Sequence, residues 1–225
     1  MARIFGVLAI VAMLLLALNF IAGLAIGDFN TLARTADGAL QKLDQLRRDP
    51  DVDKAELAAA EATYLAARGE LTTPHLRMVA HRLLGTAAAL VAVLVSSITI
   101  TYFIGTSRWC KEVAETYRLP DELAYRSTLL KRKTFPWAML SILTVILLVG
   151  LGAAADPRGA NREYSASLVT PHYLGAMLGV VVIGYSFWIQ AQRIAANYAI
   201  IDEILDNVRR IRAERGLPTE NDATA

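Results

Sequence analysis

Three histidines are the residues best suited to chemistry, and they lie in two short stretches that begin alike, "TTPHLRMVAHRLLG" at 72–85 and "TPHYLGAMLG" at 170–179. A neutral imidazole can bind haem iron or another metal through a ring nitrogen, or hydrogen-bond the carbonyl of a quinone. One hypothesis is therefore that His81 and His172, with His75 as a further candidate, bind haem b or a quinone. His75 and His81 are six residues apart, about 240° around a helix, so they do not share a face.

An architectural interpretation explains part of the same motif. Thr followed by Pro is a helix-start signal, because the Thr hydroxyl caps free backbone N–H groups and Pro lacks an N–H that would have no partner there. Thr73-Pro74 and Thr170-Pro171 are therefore predicted to start two helices. On this interpretation only the histidines remain to be explained by binding.

Other motifs for catalysis or metal binding are missing from the sequence. We find no nucleotide-binding glycine loop, HExxH zinc motif or nucleophile elbow, so we expect no catalytic residues and no enzyme activity. The stretch "DPDVD" at 49–53 matches the first acidic positions of a calcium-binding EF-hand loop, but Lys54 and Ala60 replace its essential Gly and Glu. We therefore predict no metal site there, and helix caps instead. A net charge of +2 gives no indication of nucleic-acid binding.

Composition indicates an integral membrane protein. Of the 225 residues 55% are hydrophobic and only 20% are charged. Four apolar stretches, 4–27, 83–104, 137–155 and 173–189, contain no Asp, Glu, Lys, Arg or His, and each is close to the ~20 residues that a membrane-spanning helix needs. Ion-coupled transporters, proton pumps and voltage sensors usually carry such groups in their spans, so the pattern argues against those classes.

Basic residues near the span ends predict the orientation. The connection 106–135 holds seven Lys or Arg against four Asp or Glu, and the tail after residue 192 adds five more arginines. The long loop after the first span is acidic on balance, and the loop 156–171 is neutral. Because basic loops stay in the cytoplasm, we expect a plasma-membrane protein with both termini cytoplasmic. The single Cys110 suits that reducing compartment.

The predicted fold is an all-α, four-span bundle. Each half consists of a span, an external segment with Thr-Pro-His, a returning span and a cytoplasmic helical segment, which favours two tandem two-span hairpins. The expected segments are span 1 at 1–27, an external helical hairpin at 28–74, span 2 at 75–105, a cytoplasmic amphipathic segment at 106–135, span 3 at 136–155, an external loop at 156–171, span 4 at 172–192, a cytoplasmic amphipathic helix at 193–216 and a polar tail at 217–225.

Two features predict protein–protein contacts. Gly175 and Gly179 form a GxxxG pair, which allows close helix approach in a bilayer. The C-terminal helix carries an apolar stripe at alternating spacings of three and four, typical of a coiled-coil seam. This stripe can pack against the 107–133 segment of the same chain, form a homo-oligomeric coiled coil, or bind another protein; its apolar members are Ile194, Ile201, Ile204, Val208 and Ile211.

These observations support three functional hypotheses. The preferred one is a non-catalytic interaction or scaffold subunit of a membrane complex that lies in the lipid bilayer and contacts a protein partner or a second copy of itself. The second is a redox subunit that binds haem b or a quinone through the histidines. The third is a pore or small-molecule carrier lined by Ser97, Thr101 and Ser141.

Overall fold

The computed structural model describes residues 2–159 and 162–217. Within that part of the chain the structure is all-α, with no strand. Its helices are α1 (Ala2–Leu24), α2 (Phe29–Arg48), α3 (Lys54–Tyr117), α4 (Asp121–Ala154) and α5 (Ser165–Glu214). Four of them, α1, α3, α4 and α5, are long and apolar enough to cross a membrane, which confirms the prediction of a helical chain with four candidate spans. The polar tail was predicted to begin at residue 217, and residues 218–225 lie outside the described part.

The prediction that Thr73-Pro74 and Thr170-Pro171 start helices is wrong. Helix α3 continues unbroken through Pro74, and α5 already begins at Ser165, six residues before Pro171. A proline inside a helix costs about 3 kcal/mol because it removes one backbone hydrogen bond and crowds the preceding turn. Contacts on both sides of Pro74 offset this cost. Leu71 is buried against residues of α2, and His81 packs on Gly23 of α1.

The same continuity joins segments that the sequence pattern separates. Gly69 is of a residue type that often ends a helix, yet it lies inside α3. The predicted span 4 and the C-terminal amphipathic helix are likewise one helix, α5. Helix α3 ends at Tyr117, before Arg118, which has a φ of 55°, and α5 ends at Glu214, before Gly216, which has a φ of 63°.

One compact unit comprises Met1–Ala12, Val91–Val145 and Val181–Ala225. Its best-packed region joins the end of α3, the start of α4 and the second half of α5. Cys110, Leu123 and Ile204 are almost fully buried there. The C-terminal stripe thus packs within the same chain, against Trp109, Val113, Leu123 and Leu130.

The second compact unit comprises Met13–Leu90 and Ile146–Val180. Helix α2 begins at Asp28, whose carboxylate accepts a hydrogen bond from the Thr31 N–H at 3.2 Å. Its apolar face is buried against α3, with Phe29, Ala33 and Ala36 clustered around Leu71. This confirms the amphipathic helix predicted there, and the same unit contains all three histidines.

Candidate functional site

His81 is fixed by a hydrogen bond to α1. Its Nδ1 lies 3.0 Å from the backbone oxygen of Asn19, and because a carbonyl oxygen only accepts, Nδ1 is the donor. A neutral imidazole that donates from Nδ1 carries its free lone pair on Nε2. A metal-binding histidine usually has this arrangement, in which one ring nitrogen bonds a carbonyl and orients the other.

His172 enters the same region from α5. A Cβ built on Gly152 of α4 would lie 3.1 Å from His172 Cε1, so this ring lies directly on the α4 backbone. Its Nδ1 is buried and has no hydrogen-bond partner among the described residues. A buried polar atom without a partner is costly, about 1–3 kcal/mol, and calls for a specific explanation.

The two rings meet, with centroids 6.3 Å apart and planes at 77°. Two imidazole nitrogens on opposite sides of one metal ion, at about 2.0 Å each, place the ring centroids about 6 Å apart. An ordinary edge-to-face aromatic contact spans about 4.5–7 Å. The spacing therefore fits both arrangements, and the free ring nitrogens rather than the distance distinguish them.

Glycines surround the pair on three helices. A Cβ on Gly23 of α1 would lie 3.1 Å from His81 Cε1, matching the contact of Gly152 with His172. A Cβ on Gly85 of α3 would meet the Asn19 side chain at 3.1 Å, and the Oδ1 atom of Asn19 is itself buried without a partner. Each imidazole therefore lies on a glycine of the preceding span, and a methyl group at either glycine would displace it.

His75 lies in a different environment. Its ring stacks on Phe29 with centroids 6.4 Å apart, and its Nδ1 accepts a hydrogen bond from Arg158 Nη1 at 3.2 Å. Arg158 also lies over the Phe29 ring, 5.8 Å from its centroid. The structure therefore brings together two of the three predicted histidines, His81 and His172, and the repeated Thr-Pro-His motif does not supply the pair.

Arginines flank the histidine pair in the same unit. Arg82, next to His81 in the chain, forms an ion pair with Asp156 at 2.9 Å. Arg77, one helical turn before His81, donates to the backbone oxygen of Ala25 at 2.8 Å. These contacts join α3 to α1 and to the loop after α4, and so fix the segment that carries His81.

The residues predicted to bind a partner are engaged within the chain. Cβ atoms on Gly175 and Gly179 would lie 3.2 Å and 2.6 Å from side-chain atoms of Leu151 and Leu148 on α4. The C-terminal stripe is covered in the same way, because Ile194 and Ile204 are buried. Its remaining members, Ile201, Val208 and Ile211, are partly buried and pack against the cluster of α3 and α4 side chains described above.

The residues predicted to line a pore do not share one surface. Thr101 is exposed and donates to the backbone oxygen of Ser97 on its own helix at 3.0 Å. Ser141 is fully buried. The buried polar positions of α3 are instead Ser96, Thr99 and Ser107, and Ser96 is next to the predicted Ser97.

A buried polar network around Asn197 was not predicted from the sequence. Asn197 is fully buried, donates from Nδ2 to Tyr102 Oη at 3.1 Å and Thr106 Oγ1 at 3.0 Å, and accepts from Ser127 Oγ at 2.8 Å. Gln190, one heptad earlier on α5, is also fully buried. Both lie at a spacing of seven on the inward stripe, and that polar repeat is the signal that could have identified them.

Cys110 lies near this network in the same unit. It is fully buried, and desolvation raises the pKa of its thiol above the ordinary value, while a hydrogen bond with Ser127 acts in the opposite direction. A buried, protonated thiol is a poor nucleophile and a poor metal ligand. Cys110 therefore has the properties of a small core residue.

Comparison with known proteins gives no relative: no family model, no curated protein and no solved structure matches the chain.

Proposed function

We propose that this chain is a membrane redox subunit in which His81 and His172 would hold haem b. The observation that carries the proposal is the histidine pair: two rings 6.3 Å apart, one fixed through Nδ1 and the other with a buried nitrogen that has no partner. Haem iron held by two imidazoles carries single electrons. The chain would supply the two ligands and a water-poor surrounding.

A porphyrin fits this donor set better than a bare metal ion does. A structural or catalytic metal ion takes at least three protein ligands, usually His, Cys, Asp or Glu. In the described ranges no such group of three is found. Haem would need only two protein ligands because the porphyrin supplies four nitrogens, and Gly23 and Gly152 let the two imidazoles lie close to the backbones of α1 and α4.

The interaction-subunit hypothesis has less support. Gly175 and Gly179 face α4 of the same chain, and the C-terminal stripe is covered by α3 and α4. The surfaces chosen from the sequence as partner contacts are therefore used inside the molecule. The histidine pair, by contrast, retains polar atoms that nothing in the chain satisfies.

The visible spectrum of the purified protein tests the proposal. Protein produced in haem-sufficient cells should show a Soret band that reduction sharpens and shifts, and His81→Ala and His172→Ala should each lose it. His75→Ala is the matched control and should keep the band, because His75 bonds Arg158 instead. A colourless, folded wild-type protein, or equal loss in all three variants, would refute the proposal.

The proposed setting is the plasma membrane with both termini in the cytoplasm. The support is the distribution of charge, seven Lys or Arg against four Asp or Glu in 106–135 and five arginines after residue 192. This orientation would put the histidine pair towards the external side. Reporter fusions at Gly38 in α2 and after residue 217 test it: a periplasm-dependent phosphatase should be active at the first position and inactive at the second.

A further inference from the structure

A second set of unsatisfied polar groups lies in the other compact unit, inside the candidate spans. Gln190 and Ser186 of α5, Ser96 of α3 and Ser141 of α4 are all 0% exposed. Both side-chain polar atoms of Gln190 and the hydroxyl oxygens of the three serines have no hydrogen-bond partner among the described residues. We call these four residues the unpartnered cluster.

Known contacts fix the register of the helices that carry it. Asn197 of α5 bonds both Tyr102 and Thr106 of α3, so its level lies between these two residues. Gln190 is seven residues before Asn197, on the same face and about 10 Å along the helix, and Ser96 is six residues before Tyr102, about 9 Å along its helix. Gln190 and Ser96 therefore lie within about one turn of each other along the unit.

Ser186 and Ser141 extend the cluster by about one turn. Ser186 is four residues before Gln190, on the same face of α5 and about 6 Å further along. Ser141 lies one helical turn after Trp137 of α4, whose ring contacts that of Tyr185 at 5.3 Å. Because α4 runs antiparallel to α5 in this unit, Ser141 lies within about one turn of Ser186.

The polar positions continue towards the Asn197 network. Thr99 and Thr134 line one small cleft and are both buried. Each donates its hydroxyl to a carbonyl of its own helix, which leaves the oxygen free to accept. From Ser141 to Ser127 along α4 the polar face covers about 21 Å. Polar groups therefore follow one another along the inside of this unit.

Burying these polar groups without hydrogen bonds is energetically unfavourable. A buried polar group without a hydrogen bond costs about 1–3 kcal/mol, and hydrocarbon offers no water from outside. Five unpartnered atoms would therefore cost at least about 5 kcal/mol, comparable with the whole stability of a domain. One uncharged amide and three hydroxyls would suit a small neutral ligand that can both donate and accept hydrogen bonds. Buried water is the usual partner of such groups and makes about three hydrogen bonds each.

We infer that the unpartnered cluster is an internal water site, in which ordered water molecules bridge the Gln190 amide to the hydroxyls of Ser96, Ser141 and Ser186. About two waters suffice for five atoms. The neighbouring residues on the same inner faces, Ala92 and Ala138, are small and both 0% exposed. The site gives the spans a hydrated interior without any charged side chain.

Hydrogen–deuterium exchange of a reporter thiol tests this inference in the full-length protein in lipid nanodiscs. In a Cys110→Ala background, Ser96→Cys places a thiol in the site and Ala92→Cys places one a turn away, equally buried but among apolar groups. On transfer to D₂O, the infrared S–H band of Ser96→Cys should convert at least about tenfold faster than that of Ala92→Cys, since it touches water. Equal, slow exchange in the two folded variants would overturn the inference.

Replacing the amide provides a second arm. Adding Gln190→Leu should slow exchange at Ser96→Cys towards the Ala92→Cys rate, because the group that holds the waters is lost. Gln190→Met serves if the leucine variant does not fold. An experimental map at water-resolving resolution should show density within hydrogen-bond distance of the Gln190 amide. A map in which Gln190 bonds the serines directly, or in which a larger molecule fills the site, would contradict it.

Discussion

The hydrogen bonds around Asn197 should contribute measurably to stability, and Asn197→Leu tests this directly. The substitution keeps the size of a fully buried side chain but removes three hydrogen bonds, to Tyr102, Thr106 and Ser127. A net contribution of about 1 kcal/mol per bond in water, or about 0.6 kcal/mol between membrane helices, predicts a loss of about 2–3 kcal/mol. That loss corresponds to an unfolding equilibrium shifted about 30- to 150-fold.

Reversible unfolding in mixed micelles, followed by circular dichroism, measures this difference. Asn207→Leu is the matched control on the same helix: Asn207 bonds Glu203 and Arg210 of its own helix, and the change should stay within about 0.5 kcal/mol. A double-mutant cycle with Ser127→Ala isolates the 2.8 Å bond. If the two changes add with a coupling below about 0.3 kcal/mol, or if Asn197→Leu is as stable as Asn207→Leu, the reasoning fails.

Two further predictions concern packing and pH. Gly179→Ala should destabilise the protein by about 1–3 kcal/mol, because the added Cβ would lie 2.6 Å from Leu148 Cδ1. Gly150→Ala is the control, since a Cβ there meets nothing within 4 Å. The same unfolding assay compares the two variants, and equal stability would count against the close packing of α4 on α5. The second prediction rests on the raised pKa of the Cys110 thiol, for which the ordinary value is 9.0. Below that value the thiol is protonated in both states; above it the unfolded thiol ionises first, so stability should fall relative to Cys110→Ala as the pH rises above about 9. Parallel stability curves for the two proteins between pH 7 and 10 would contradict the assigned burial.

The sequence predicts the helices of this protein better than their ends. Apolar runs identify the four candidate spans, and spacings of three and four identify the apolar faces of α2 and of the C-terminal helix. Pro74 and Gly69 indicate helix boundaries because both residue types disfavour the interior of a helix. Helix α3 nevertheless continues through them, because α1 and α2 contact it on either side of Pro74. Local propensity carries no information on such contacts.

The sequence was sufficient to name the histidine pair: His81 and His172 were the preferred candidates, and their rings meet with centroids 6.3 Å apart. The repeated Thr-Pro-His alone would make His75 and His172 equivalents, but the six-residue spacing places His75 and His81 on different faces of one helix. The distance between the two rings could not be predicted, because it is set by packing across helices. Gln190 was overlooked because it lies at the end of an apolar run, and its spacing of seven from Asn197 is the one indication of its burial.

The contact of each imidazole with a glycine on another helix has a consequence for sequence variation. His81 limits which side chains position 23 can carry, and His172 does the same for position 152. A methyl group at either position would lie 3.1 Å from the facing ring. The helices that carry Gly23 and Gly152 would themselves accept, and even favour, alanine. Each glycine should therefore vary together with its histidine. In a related sequence that has lost one of the histidines, the facing glycine could be replaced by alanine.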